Sequence, residues 1–174
     1  MYEKWDLVAP PVEGLVAPVR VGVTDGPTRG QARGPRWRRP APGLAVPASV
    51  SDDLVEQRIL EAYVGAGEDV VITGWAGLRL HGGGFFDGLD RDGTTRLPVP
   101  IAANGRRLDP RPGVLITHDR IPPDEVTVAL GMRCATAERC LFDEIRRWPD
   151  LRDQVVAADM AFGGELTSIR RMRR

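Results

Sequence analysis

The segment from residue 53 to residue 83 constrains the fold most strongly, because a helical repeat, a β-branched run and a second helical repeat follow one another within it. A first helix is predicted to begin with a capping box formed by Asp53 and Glu56 and to stop at Gly65. Residues 70–72 are typical of a buried strand. The apolar face of the first helix consists of Val55, Ile59, Ala62 and Tyr63. The second helix is short and carries Trp75, Leu78 and Leu80 before it ends in glycines.

Composition sets the size and charge of the protein. The chain has 174 residues, of which 42% are hydrophobic, so it can bury the core of one domain or of two small ones. The 24 basic and 24 acidic residues cancel, so nucleic-acid binding must depend on local charge. Lys4 is the only lysine. The many arginines either suit bidentate contacts with phosphate or carboxylate groups or follow from a GC-rich genome.

Cysteine usage and the amino terminus predict a cytoplasmic protein. The two cysteines, Cys134 and Cys140, indicate reduced thiols rather than a disulfide scaffold. No run approaches the roughly 18 apolar residues of a membrane span. Residues 1–6 lack the basic-then-apolar order of a signal peptide.

No motif for catalysis, metal or cofactor binding is evident. The two cysteines and two histidines have a spacing unlike any zinc motif. The pair His118 and Asp119 lacks an activated serine or cysteine. His81 is expected to end a helix, where the helix dipole favours an imidazolium. We therefore predict a protein that is not an enzyme and that needs no cofactor.

Residues 1–50 are rich in proline and arginine and lack a long helical period. A short strand is expected over residues 19–23, and Thr28 can cap a short helix that reaches Arg33. Five arginines and no acidic residue lie between Thr28 and Arg39. Two interpretations remain open. In one, these arginines contact phosphates and Trp37 anchors a hairpin or touches sugar; in the other, Trp37 packs on the core and the arginines are solvated.

The middle of the chain carries a loop and two strands. The loop over residues 82–93 is rich in Gly and Asp but fits neither a phosphate-binding nor a calcium-binding loop, and Phe85 and Phe86 are expected to tuck it onto the core. Residues 97–102 predict an edge strand because of their prolines. Asn104 and Gly105 signal a hairpin turn, and residues 114–117 form the second strand.

The last third of the chain is predicted to be mainly helical, after a weak strand over residues 126–130. Thr136 caps a helix that ends before Pro149. Residues 166–174 are expected to be the start of a truncated basic helix. The stripe of the first helix is Ala137, Leu141, Ile145 and Trp148, and that of the next is Leu151, Val155, Ala158 and Phe162. We expect an α+β fold with a small mixed sheet and several helices, divided at residues 1–50, 51–165 and 166–174.

Several segments together resemble the family of AbiEi-type antitoxins. Residues 36–39 run into residues 43–47 as in the wing of that family, where a basic Trp hairpin precedes a Gly-Val/Leu-Tyr strand; Ala45 stands in place of the tyrosine. Residues 136–143 match a Thr-x-x-Arg-Thr-Leu-x-Asp helix start, with Cys140 in place of the second threonine. The central core of the family is similar to residues 57–60, 71–76 and 78–82.

The resemblance covers residues 28–162 and implies a DNA-binding transcriptional regulator of a type IV toxin–antitoxin system. In that family a winged helix binds DNA upstream of its own operon, and the rest counters a nucleotidyltransferase-type toxin. Here the winged helix is expected to be degenerate, because residues 28–33 are too short and glycine-rich for a recognition helix. The implied DNA contacts are Arg29, Arg33, Arg36, Arg38 and Arg39 for phosphates, with Trp37 fixing the hairpin.

Two alternatives differ from this regulator. Longer actinobacterial relatives carry an endonuclease-like domain of the very-short-patch-repair type after a segment similar to residues 166–171. That domain is absent here, so nuclease activity is not carried over, but the chain could be the amino-terminal fragment of such a protein. The other alternative is a protein-interaction module without DNA binding, in which the helices of residues 137–162 dock a partner.

Overall fold

The computed structural model describes residues 14–67 and 69–173 and confirms an α+β fold. Residues 1–13, which include Lys4 and the six residues compared with a signal peptide, lie outside the described residues, as do Glu68 and Arg174. Of the helices that are described, none is long and apolar enough to cross a membrane. The strands are β1 (Val19–Arg20), β2 (Trp37–Arg38), β3 (Leu44–Pro47), β4 (Val71–Ile72), β5 (Val99–Ala102), β6 (Val114–Thr117), β7 (Val126–Ala129) and β8 (Met132–Ala135). The α-helices are α1 (Val55–Ala66), α2 (Gly74–Leu80), α3 (Ala137–Arg147), α4 (Leu151–Gly163) and α5 (Ile169–Met172).

A five-stranded mixed sheet forms the centre of the protein, as the sequence predicts. Its strand order is β6-β5-β4-β8-β7. Strands β4 and β8 are parallel, as are β5 and β6, whereas β4 with β5 and β7 with β8 are antiparallel. Because β4 leads into α2 and β8 leads into α3, two neighbouring parallel strands each feed a helix. These two helices lie against each other on the sheet.

The core lies where α1, α2 and α3 cover this sheet. Ile59 and Tyr63 of α1, Ile72 of β4 and Trp75 and Leu78 of α2 are almost fully buried. Val55 and Ala62 are partly buried and pack against this core, so the predicted apolar face of α1 is confirmed. The indole Nε1 of Trp75 donates a hydrogen bond to the backbone oxygen of Pro98 at 3.0 Å. The fold is therefore centred on the segment that the sequence singles out.

The ends of α1 differ from the prediction. The capping residue is Leu54, which makes no side-chain cap, and the Asp53 carboxylate instead accepts hydrogen bonds from Ser51 and Arg96. The helix continues past Gly65 and ends at Ala66, where Gly67 adopts a left-handed φ of 87°. By contrast, the predicted cap of α3 is confirmed, because Thr136 Oγ1 accepts the backbone N–H of Arg139.

The predicted hairpin and edge strand are both wrong. Asn104 and Gly105 do turn, with φ values of 52° and 87°, but β5 and β6 run parallel, so residues 103–113 form a crossover. Strand β5 is also internal, between β6 and β4. The backbone N–H of Val99 donates toward β6, so the nitrogen of the next residue, Pro100, faces β4. Strand β4 ends at Ile72, and Pro100 is therefore tolerated in this internal strand.

The apolar stripe predicted for α4 is wrong at its first two positions, whereas Ala158 is half-buried and Phe162 packs against the core. Leu151 is 71% exposed and Val155 is 49% exposed, whereas Ala157 and Ala161 are buried. Small side chains let α4 approach its neighbours closely, so the larger aliphatic residues are left outside. The loop prediction is half right in the same way, since Phe86 is buried and Phe85 is exposed.

The amino-terminal region forms a separate three-stranded antiparallel sheet in the order β1-β3-β2. Only residues 19–20 of the predicted first strand are extended, and a 3-10 helix, Gln31–Arg33, replaces the predicted short α-helix. The side-chain amide of Gln57, which is fully buried in α1, donates to the backbone oxygen of Val16 and accepts from its N–H, both at 2.9 Å. These bonds join the segment before β1 to α1.

Candidate nucleic-acid interface

Four of the five arginines predicted to contact DNA are exposed on the three-stranded sheet and its loops. Their side chains make no hydrogen bond or ion pair with residues 14–67 or 69–173. Residues 14–50 contain six arginines and a single acidic residue, Asp25. The region is thus strongly cationic within a chain of zero net charge. The four exposed arginines are Arg29, Arg33, Arg36 and Arg39.

A reciprocal cap holds the first two of these arginines in place. The backbone N–H of Gln31 donates to Thr28 Oγ1 at 3.2 Å, and the N–H of Thr28 donates to Gln31 Oε1 at 2.8 Å. Ala32 is the buried residue of the 3-10 helix, so Arg33 points outward. The local sequence therefore forms one rigid turn instead of a recognition helix.

Arg38 is placed differently from the other four. Its guanidinium donates to both carboxylate oxygens of Glu61 on α1, at 2.8 and 2.5 Å, and to the backbone oxygen of Val50 at 3.2 Å. The hydrogen bond to Glu61 raises the pKa of Arg38 above its usual value. This bidentate geometry holds strand β2 against α1. The guanidinium of Arg38 is thus already bound to a carboxylate, whereas those of the other four arginines are exposed.

Trp37 lies on the opposite side of β2 from Arg38, because successive side chains of a strand alternate. It is half-buried and lines an open groove with Arg36, Gln31 and Asp25. Trp37 does not belong to the described apolar core or to the side chains packed on it. The groove combines an aromatic surface, an arginine and an amide, which is a set of groups that can contact a nucleotide.

One group of side chains among the described residues could hold a metal ion. It consists of His81, Cys134 and Cys140, whose ligand atoms all lie within 4.8 Å of one another. The hydrogen bond from Cys140 lowers the pKa of Cys134 to about 6, and burial raises that of Cys140 well above its usual value. The hydrogen bond with Cys134 raises the pKa of His81. The other histidine, His118, is exposed.

Sequence reasoning missed this group because its members are distant along the chain. His81 is at the end of α2, where the sequence predicts it, but its ring faces Ala135 and Cys134 from the neighbouring strand. A usable signal was the position of the two cysteines on either side of the Thr136 cap, which places them at the junction of a strand and a helix.

Comparison with family models, with curated proteins and with solved structures gives no match to this chain.

Proposed function

We propose that the protein is an antitoxin-like transcriptional regulator that binds DNA through its three-stranded sheet. The family resemblance of residues 28–162 motivates this proposal. The observation that carries it is the set of exposed arginines without acidic partners among the described residues, Arg29, Arg33, Arg36 and Arg39, of which Arg36 lines the Trp37 groove. In this proposal the sheet serves as a degenerate wing, and no recognition helix is required for phosphate contact.

The arginines have two roles in the proposed complex. The four exposed guanidinium groups neutralise phosphates, since each can donate two parallel hydrogen bonds to phosphate oxygens. Trp37 contacts sugar or base from the groove. Arg38 stays on Glu61 and orients the strand that carries Trp37. The cognate promoter would then be bound with a strong dependence on salt concentration.

Fluorescence anisotropy of the full chain with duplex DNA tests the proposal. The protein is titrated with its own upstream duplex and with a scrambled duplex, at low and near-physiological salt. We expect Arg36→Ala/Arg39→Ala to lower the slope of log affinity against log salt by about 1.8, since each lost phosphate contact contributes about 0.9. The matched control is Arg107→Ala/Arg152→Ala, which removes two exposed arginines elsewhere.

The outcomes separate three functions. A preference for the native duplex that persists at higher salt supports a regulator that reads sequence. Equal binding to both duplexes that collapses with salt means that the arginines only neutralise phosphates. The absence of binding at low salt, or equal losses in the two double variants, would refute the DNA-binding proposal and favour a protein-interaction module.

A second function, docking of a partner protein, is favoured by the outer face of α4. Leu151, Val155 and Val156 are 71%, 49% and 47% exposed on this helix. The resemblance implies that the partner is a nucleotidyltransferase-type toxin, and an apolar helix face is a common mode of such recognition. The variant Leu151→Asp/Val155→Asp should abolish co-purification with a co-expressed toxin and leave DNA binding unchanged. Retained co-purification would exclude this face.

A further inference from the structure

Three side chains that bind soft metal ions meet where α2, β8 and α3 come together. His81 follows the end of α2, Cys134 lies in β8, and Cys140 lies in the first turns of α3. The Sγ atom of Cys134 is 3.7 Å from Nε2 of His81, and the three ligand atoms lie within 4.8 Å of one another. The topology explains this meeting, because α2 and α3 follow the neighbouring parallel strands β4 and β8.

We propose that His81, Cys134 and Cys140 bind one Zn²⁺ ion, with solvent as the fourth ligand. Zinc bonds of about 2.3 Å to sulfur and about 2.0 Å to nitrogen place the ligand atoms of a tetrahedral site roughly 3.5–3.8 Å apart. The 3.7 Å separation of Cys134 Sγ and His81 Nε2 matches that value. A set of two sulfur ligands and one imidazole binds Zn²⁺ in preference to Mg²⁺ and Ca²⁺, which favour oxygen ligands.

The charge balance of this site suits its burial. Cys134 and Cys140 are fully buried, and an isolated thiolate there would be costly. A divalent ion with two thiolates and a neutral imidazole has no net charge, so the complex avoids that cost. Binding displaces the thiol protons of both cysteines, and the imidazole of His81 binds through Nε2 while its remaining proton is on Nδ1. His81 is only partly buried, so we expect the solvent ligand to enter from the side of this histidine.

The surrounding backbone keeps the three ligands together. A Cβ atom added at Gly77 would collide with Sγ of Cys140 and lie 3.2 Å from Sγ of Cys134, so a glycine inside α2 leaves room for the two sulfur atoms. This glycine is notable because glycine is a weak helix former. The backbone oxygen of Ala135 lies 2.8 Å from Nε2 of His81 and accepts from Sγ of Cys140 at 3.3 Å. A single carbonyl therefore orients two of the ligands in the absence of an ion.

A Co²⁺ titration of the full chain tests the site. The protein is stripped with a chelator, kept reduced and titrated with Co²⁺, and the bound ion is then displaced with Zn²⁺. We expect one ion per chain, a near-ultraviolet thiolate-to-cobalt charge-transfer band and the visible bands of a tetrahedral site. Displacement by Zn²⁺ should abolish both sets of bands. This expectation does not depend on DNA binding.

Matched variants assign the ligands. His81→Asn, Cys134→Ser and Cys140→Thr should each weaken Co²⁺ binding by at least about 100-fold. His118→Asn, which removes the exposed histidine, should leave it unchanged. Circular dichroism of the metal-free variants checks that each is folded. If a variant is not folded, the absorption spectrum of the wild-type protein with Co²⁺ decides whether the site exists. A wild-type protein without the charge-transfer band, or a folded Cys140→Thr variant that binds Co²⁺ as well as the wild type does, would overturn the proposal.

Discussion

The three-stranded sheet of residues 19–47 and the five-stranded sheet of residues 71–135 place arginine in opposite surroundings. Around the larger sheet, several arginine side chains are paired with carboxylates. Arg79 donates to Glu56 at 2.6 Å, and Arg139 donates to Asp143 and Glu125, both at 3.1 Å. In the smaller sheet, Arg38 is paired with Glu61 of α1, whereas the exposed side chains of Arg29, Arg33, Arg36 and Arg39 make no ion pair with the described residues.

This difference shows why a net charge of zero says little about binding. The balance of 24 basic and 24 acidic residues holds for the chain as a whole, yet residues 14–50 carry six arginines and a single acidic residue, Asp25. Cations that are already paired stabilise the fold and offer little to a ligand. Exposed cations without partners keep their full attraction for a polyanion.

The largest expected effect is a difference in stability between variants of one tryptophan in each region. Trp75→Ala should lower the free energy of unfolding by about 3–5 kcal/mol, because the indole is 1% exposed in the central core. Trp37→Ala should lower it by about 1 kcal/mol, because that side chain is half-buried beside an open groove. Urea unfolding followed by circular dichroism measures both. Equal losses would mean that the small sheet is as strongly packed as the core.

Arginine variants should differ in the same direction. Arg139→Ala should lower the free energy of unfolding by about 2 kcal/mol, since it removes the nearest cation from the Asp143 carboxylate, whose side chain is only 10% exposed, and leaves it with the Thr73 hydroxyl and the more distant Arg146. Arg29→Ala/Arg33→Ala should change it by less than about 0.5 kcal/mol. Thermal and urea unfolding provide the comparison. A destabilised Arg29→Ala/Arg33→Ala protein would show that these cations are structural.

A smaller effect concerns the connection between the two regions. The double-mutant cycle of Arg38→Ala and Glu61→Ala should give a coupling energy of about 1–2 kcal/mol, because the side chains are only 29% and 8% exposed and share two hydrogen bonds. Urea unfolding of the four proteins yields the coupling. A value near zero would mean that this pair does not hold the small sheet on α1.

The smallest effect tests an exposed carboxylate of the central region. The Thr95 hydroxyl, followed by the backbone N–H groups of Thr95 and Thr94, lowers the pKa of Asp92 from 3.8 to about 2. A lowered pKa means that the contribution of these bonds to loop order is complete above pH 3.8 and is lost as the pH falls through about 2. An NMR titration of the carboxyl group should therefore give a midpoint near 2, and a midpoint near 3.8 would contradict these bonds.

The sequence predicts those parts of the fold that depend on short-range patterns. The apolar face of α1 is a repeat of a few residues, and the Thr136 cap of α3 is a hydrogen bond between near neighbours in sequence. Both features form. The turn at Asn104 is also local and forms, but the parallel partner of β5 lies beyond a long crossover. On α4 both faces carry apolar residues, so the choice of the alanine face depended on neighbours that no local pattern specifies.

The candidate sites follow the same rule. The cationic stretch between Arg29 and Arg39 is continuous in the sequence, so it is visible there. The ion pair of Arg38, by contrast, depends on Glu61, a residue 23 positions away. The meeting of His81 with Cys134 joins residues 53 positions apart. Such pairs become visible only when the order of the strands is known.

The bonds between Gln57 and Val16 have a consequence for biosynthesis. They join two residues that are 41 positions apart, so the segment that begins at Val16 leaves the ribosome before the glutamine that holds it. During that interval the segment has neither Gln57 nor Glu61 as a partner, and its arginines face a ribosome surface rich in RNA phosphate. We expect the small sheet to settle only after α1 has emerged, and nascent chains that stop before residue 57 should remain open to protease.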